Sequence, residues 1–304
     1  MRETRRIRKV IRSKPTIEGA GVHLKRAFGF GETRLFDPFL LLDDFRSQTP
    51  DHYRKGFPWH PHRGIETITY LLRGDVEHGD SLGNQGIISA GDVQWMTAGS
   101  GVIHQEMPKG AAQGALEGFQ LWANLPASHK MMDPRYRDVK SLALPEVLGD
   151  DGTRIRVICG TVETTQGPVR DIVTDPEYLD VTVPPNATFV HSTPRGHTVL
   201  AYVIAGRGRF GPDDDGFAHD VDGASYFDME RDPVIGNENL ILWADGDQIV
   251  ISAADQPVRF LLLSGKPIGE PVAWYGPIVM NTQEELRTAF QELRDGSFIK
   301  HQNG

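Results

Sequence analysis

A chain of 304 residues exceeds one ordinary domain and suits two, each long enough to bury its own core without staples. A formal net charge of -9 opposes a phosphate backbone and argues against direct nucleic-acid binding. Hydrophobic residues at 39% are ordinary for a soluble protein, no apolar run approaches the length that spans a bilayer, and one cysteine cannot form an internal disulfide.

The first residues are basic, with Arg2, Arg5, Arg6, Arg8, Lys9 and Arg12, and they lack the apolar stretch of a secretion signal. Ile7, Val10 and Ile11 among them fit an exposed edge strand with a solvated charged face. With no secretion signal and a lone thiol, the expected location is cytoplasmic. Further on come short runs rich in Val, Ile, Thr and Tyr, such as residues 66–72 and 198–205, punctuated by 33 glycines and 20 prolines. That pattern predicts an all-β chain of many short strands closed into barrels or sandwiches. Cys159 sits in one such run and reads as a small core residue.

A turn-rich stretch at residues 142–152 places the domain boundary, giving an N-terminal barrel over 1–145 and a C-terminal barrel over 146–304. The halves repeat weakly. Tyr70 to Gly74 aligns with Tyr202 to Gly206, and Gly91-Asp92 with Gly246-Asp247. One helix closes the chain within the C-terminal half. Thr282 and Glu285 form a capping box, Gly296 is the stop, and Leu286, Phe290 and Leu293 make the stripe that packs on a barrel.

The informative residues lie in the first half. In Trp59-His60-Pro61-His62-Arg63-Gly64-Ile65-Glu66, alternate side chains of a strand share a face, so His60 and His62 project together and Glu66 shares their parity. His104 and Glu106 form a second same-face pair. Pro61 suits an edge strand or bulge, because it lacks an N–H for a central ladder. If the two strands are neighbours inside a barrel, four ligands converge. Three imidazoles and a carboxylate favour one divalent first-row ion: iron, manganese, cobalt, nickel, copper or zinc. An octahedral ion would keep two positions for oxygen or a chelating substrate. Of the 11 histidines, His78, His191 and His197 lack such pairing and read as ordinary polar residues.

These motifs carry a resemblance. His60, His62, Glu66 and Gly74 match the first cupin motif, and Gly91, Gly99, Gly101 and His104 the second. More closely, residues 60–67, 94–108, 121–126 and 277–282 are similar to the pirin family, over nearly the whole chain. The resemblance implies two consecutive cupin-type, jelly-roll-like barrels, the first holding one metal ion, most often Fe(II), and the second metal-free. It names His60, His62, His104 and Glu106 as ligands, whereas the general cupin pattern would use Glu66. It implies a dioxygenase of the quercetin 2,3-dioxygenase type, acting on a flavonol-like chelating aromatic and O2 with Glu106 as base. The alternative it offers is an iron-binding, redox-responsive transcription cofactor working through a protein partner. Membrane partners are not expected.

Overall fold

The computed structural model describes residues 2–213, 215–223 and 230–301. The chain forms two compact units, one of Lys14–Ala143 with Ile268–Gly304, the other of Met1–Ser13 with Leu144–Pro267. The break at 143/144 is close to the expected one, but the chain ends are exchanged. Both halves of the 1–145 and 146–304 division therefore need correcting. The first strand, Ile7–Arg12, belongs to the second unit, and the C-terminal helix belongs to the histidine-bearing unit.

The histidine unit pairs a seven-stranded sheet with a four-stranded one. Across the large sheet the strands run Arg135–Val139, Val93–Thr97, Ile65–Arg73, Glu117–Asn124, Phe39–Asp44, Val22–Phe28 and Lys14–Glu18. The small sheet orders Phe57–His62, Val102–Pro108, Val76–Asp80 and Gln85–Ile88. Phe57–His62 is thus an edge strand, which is where Pro61 costs no ladder bond. The second unit pairs an eight-stranded sheet with a four-stranded one around a core that includes Val157, Leu179, Val203, Ile251 and Phe260.

The expected edge strand at the start is a correction too. Ile7–Arg12 pairs antiparallel with Asn239–Trp243 and, at Lys9 and Val10, parallel with Asp220–Val221. Val10 and Ile11 are buried. Arg5 is not solvated either: its guanidinium donates to Thr193 Oγ1 (2.8 Å) and to the carbonyls of Pro194 (2.7 Å) and Ala244 (2.8 Å). A buried guanidinium is tolerable only when its donors are matched in this way.

The repeat is real in its first match and shifted in its second. Ile65–Arg73 and Thr198–Ala205 are large-sheet strands ending at Gly74 and Gly206, both in the left-handed region at φ 86° and 68°. Gly91-Asp92, however, leads into the large-sheet strand Val93–Thr97, whereas Gly246-Asp247 leads into the small-sheet strand Gln248–Ala253. The latter corresponds to the His104 strand. There the second unit turns Phe189, Ile249 and Ile251 into its core.

The C-terminal helix, Gln283–Asp295, has its capping box formed and Gly296 at φ 74°. Leu286 and Ala289 pack with Ala273, Ile278 and Phe298 against Ile103, beside His104. No helix among the described residues is long and apolar enough to cross a membrane.

Candidate metal centre

The edge strand Phe57–His62 pairs antiparallel with Val102–Pro108, placing His60 opposite His104 and His62 opposite Val102. Three imidazoles converge. His60 Nε2 lies 3.0 Å from His62 Nε2 and 2.9 Å from His104 Nε2. Two of the tautomers are set from behind: His60 Nδ1 donates to the Pro58 carbonyl (2.8 Å) and His62 Nδ1 to the Pro277 carbonyl (3.0 Å). A carbonyl only accepts, so each Nδ1 carries a hydrogen and leaves Nε2 for the cluster. Burial pushes the His62 and His104 pKa values well below the ordinary histidine range, with the neighbouring imidazoles adding to it.

Bare lone pairs at such distances repel, and a proton between two rings relieves only one of the two contacts. A cation shared by all three relieves both. Nitrogens bound at about 2.1 Å and at right angles to one another stand about 3.0 Å apart, which is the spacing found. The donor set therefore fits a first-row divalent ion.

The two glutamates part company. Glu106 lies on the His104 strand and lines the same cavity as His60 and His62. Thr69 Oγ1 donates to its Oε1 at 2.8 Å. Its carboxylate is outside the set of atoms within 4.8 Å of one another, which is His60, His62 and His104. Glu66 is fully buried and accepts from Thr97 Oγ1 at 2.7 Å. It sits three residues before Thr69 on the same strand, an odd spacing that puts it on the opposite face. The parity that joined it to His60 and His62 is lost because Arg63 and Gly64 separate two strands in different sheets. Burial raises the Glu66 pKa, and its bond to Thr97 partly offsets that.

That turn is fixed by residues the motif contains but the sequence reading left unexplained. Gly64 has φ 77°, and a Cβ there would collide with the Val279 carbonyl. Lys130 Nζ donates to the Gly64 carbonyl (2.8 Å) and to Asn124 Oδ1 (2.7 Å). Arg63 is buried, donates to the carbonyls of Ser100 (2.7 Å) and Phe298 (2.8 Å), and pairs with Glu292 at 2.7 Å. His78, read as an ordinary polar residue without pairing, lies beside the cluster. It is buried, its ring centroid is 5.4 Å from that of His104, and its Nε2 faces Asp80 Oδ2 at 3.3 Å.

A cavity of about 620 Å³ opens beside His60 and His62, walled by Phe57, Trp59, Trp122 and Trp274. Trp122 meets His62 edge-on with centroids 5.1 Å apart. Arg26, Asp43 and Gln120 also line it. Arg26 grips Asp43 with two bonds of 2.8 and 2.7 Å, yet burial still raises the Asp43 pKa to about 6.

Comparison with known proteins agrees with this architecture. The Pirin profile matches residues 21–123, and that of the Pirin C-terminal cupin domain matches 178–299. A Pirin-like protein of Caulobacter vibrioides is 40% identical over 296 residues, 97% of this chain and 99% of its own. A Pseudomonas aeruginosa relative, provisionally named a quercetin 2,3-dioxygenase, is 40% identical over 93% of this chain and 94% of its own. The crystal structure of a quercetin 2,3-dioxygenase from Acinetobacter baumannii superposes with a TM-score of 0.81 at 29% identity, covering 97% of this chain and 98% of that one. With both profiles matched and 40% identity along nearly its whole length, the chain belongs to the pirin family and has its two cupin domains.

Proposed function

We propose that this pirin is a metal-dependent dioxygenase that opens the ring of a flavonol-type substrate with O2. The observation that carries the reading is the convergence of three Nε2 atoms at an aromatic-walled cavity. The quercetin 2,3-dioxygenase names of a relative and a structural neighbour support the substrate class.

His60, His62 and His104 would hold one divalent ion, Fe(II) before manganese, cobalt, nickel, copper or zinc. Once bound, the ion supplies a two-point attachment for adjacent hydroxyl and keto oxygens and lowers the hydroxyl's pKa. We assign Glu106 both as fourth donor and as base, the first role before substrate enters and the second after. Thr69 occupies Glu106 Oε1, so Oε2 is the oxygen left to receive the hydroxyl proton. Trp122, Trp59 and Phe57 give an apolar wall to the resulting flavonolate, the electron-rich species that reacts with O2.

The test uses iron-loaded protein without oxygen. Added quercetin should show its absorption band moving to longer wavelength, and admitted O2 should bleach that band with uptake of oxygen. A shift with no bleaching would leave a binding protein, and no shift at full iron loading would sink the reading.

A further inference from the structure

One feature reaches beyond that chemistry: Arg26, Asp43 and Gln120 line the cavity, and Thr69 joins Gln120 to Glu106. Arg26, Asp43, Gln120 and Thr69 stand on four neighbouring strands of the large sheet and face one another in register. Arg26 is opposite Asp43, Asp43 opposite Gln120, and Gln120 opposite Thr69. At about 4.8 Å per strand the row spans about 14 Å. It is linked at both ends: Arg26 bonds Asp43, and Thr69 Oγ1 lies 2.8 Å from both Gln120 Oε1 and Glu106 Oε1. The row thus leads from Glu106 beside the imidazoles along a cavity whose lining also includes Phe30, Phe57, Trp59, Trp122 and Trp274.

Polar groups in such a place cost free energy unless something bonds them. Asp43 is 5% exposed. Arg26 takes one lone pair on each of its oxygens and leaves the others. The single Thr69 hydroxyl hydrogen goes to Glu106, so Gln120 turns its amide to meet Thr69 Oγ1 with one N–H and keeps its second N–H and its carbonyl for a ligand. The free functions are therefore acceptors at Asp43 and one N–H and the carbonyl at Gln120, spaced along one line. The walls suit flat rings, since Trp122, Trp274 and Phe30 follow one another from His62 outward with centroids 5.9 and 5.1 Å apart.

We infer that this row is the specificity site for planar, polyhydroxylated aromatic ligands, whose outer-ring hydroxyls bond Asp43 and Gln120 while a chelating oxygen pair sits at the imidazoles. Arg26 is a positioning residue that holds Asp43. The inference rests on the flavonol reading of the same cavity and deepens it. A site built to hydrogen-bond hydroxyls rejects an analogue lacking them, because its own groups are then left unpaired.

The experiment measures anaerobic binding to the iron-loaded full chain of quercetin and of 3-hydroxyflavone, which keeps the chelating pair but has no other hydroxyl. Wild type should favour quercetin at least tenfold. Gln120→Leu, which leaves the Arg26–Asp43 pair intact, and Asp43→Asn should each reduce that ratio several-fold. Binding of 3-hydroxyflavone certifies that a variant has folded, and if Asp43→Asn fails this check, Gln120→Leu decides. An equal affinity of wild type for both ligands, or a ratio unchanged in the folded variants, overturns the inference. Because binding is read apart from the oxygen-uptake assay, the two ideas fail separately. Preference for quercetin without oxygen uptake keeps the specificity site and removes the dioxygenase, and turnover indifferent to the row does the reverse.

Discussion

His62 reaches its neighbours in only one way, because its Nδ1 is committed to the Pro277 carbonyl and its Nε2 points at His60. A strand residue cannot be replaced by one facing the other side, so His62→Ala should lose most of the metal, read as ions per chain by elemental analysis. The same assay separates the two glutamates: Glu106→Gln should lower metal affinity about tenfold or more, whereas Glu66→Gln should leave it nearly unchanged. The reverse result would return the general cupin pattern. At this scale much of the site was legible, since alternation within a strand is a local property and the pairs His60/His62 and His104/Glu106 each lie inside one strand. Glu66 was misplaced because alternation does not survive Arg63-Gly64. His78 was passed over because its proximity to His104 comes from pairing of Val76–Asp80 with Val102–Pro108, which no local spacing announces.

The turn between Phe57–His62 and Ile65–Arg73 is the element on which the imidazoles depend, and a buried lysine holds it. Lys130 has two acceptors, Gly64 O and Asn124 Oδ1, and a neutral amine has two hydrogens to match them. Burial lowers its pKa to about 7, against about 10.4 in an unfolded chain. Between those values the unfolded chain binds a proton that the folded chain does not, so stability rises with pH across that window. Below pH 7 the folded protein carries the full cost of the buried charge. The difference in unfolding free energy between wild type and Lys130→Met, followed by denaturant titration, should therefore move in favour of wild type from pH 7 to 10. The change expected is on the order of 4 kcal/mol. A flat difference would mean that the ammonium stays charged in the fold. The strands and the helix were foreseeable from β-branched runs and the capping box. What the helix touches was not, because an amphipathic stripe says that a face is buried and not against what.

For the whole molecule, the exchanged ends decide which substitutions reach the metal centre. A linear reading divides the chain once, since composition and turn residues mark where a boundary falls but carry no trace of which distant strand a terminal segment joins. Here Ile7–Arg12 joins Asn239–Trp243, and the segment after residue 267 joins the histidine unit. Arg5 therefore supports the unit without the cluster, through Thr193, Pro194 and Ala244. Glu292 supports the unit that has it, by pairing with Arg63 next to His62. Arg5→Met should destabilise the chain by about 3 kcal/mol, because it strips a set of buried carbonyls of their donor. It should leave about one metal ion per chain. Glu292→Ala leaves the Arg63 charge buried with one partner fewer, at a similar cost in stability, but it also frees the turn that carries His62. Metal affinity in that variant should fall several-fold, measured by competition with a chelator of known strength. If residue 5 controlled metal retention and residue 292 did not, the sequential division at 145/146 would describe the protein better than the exchanged one.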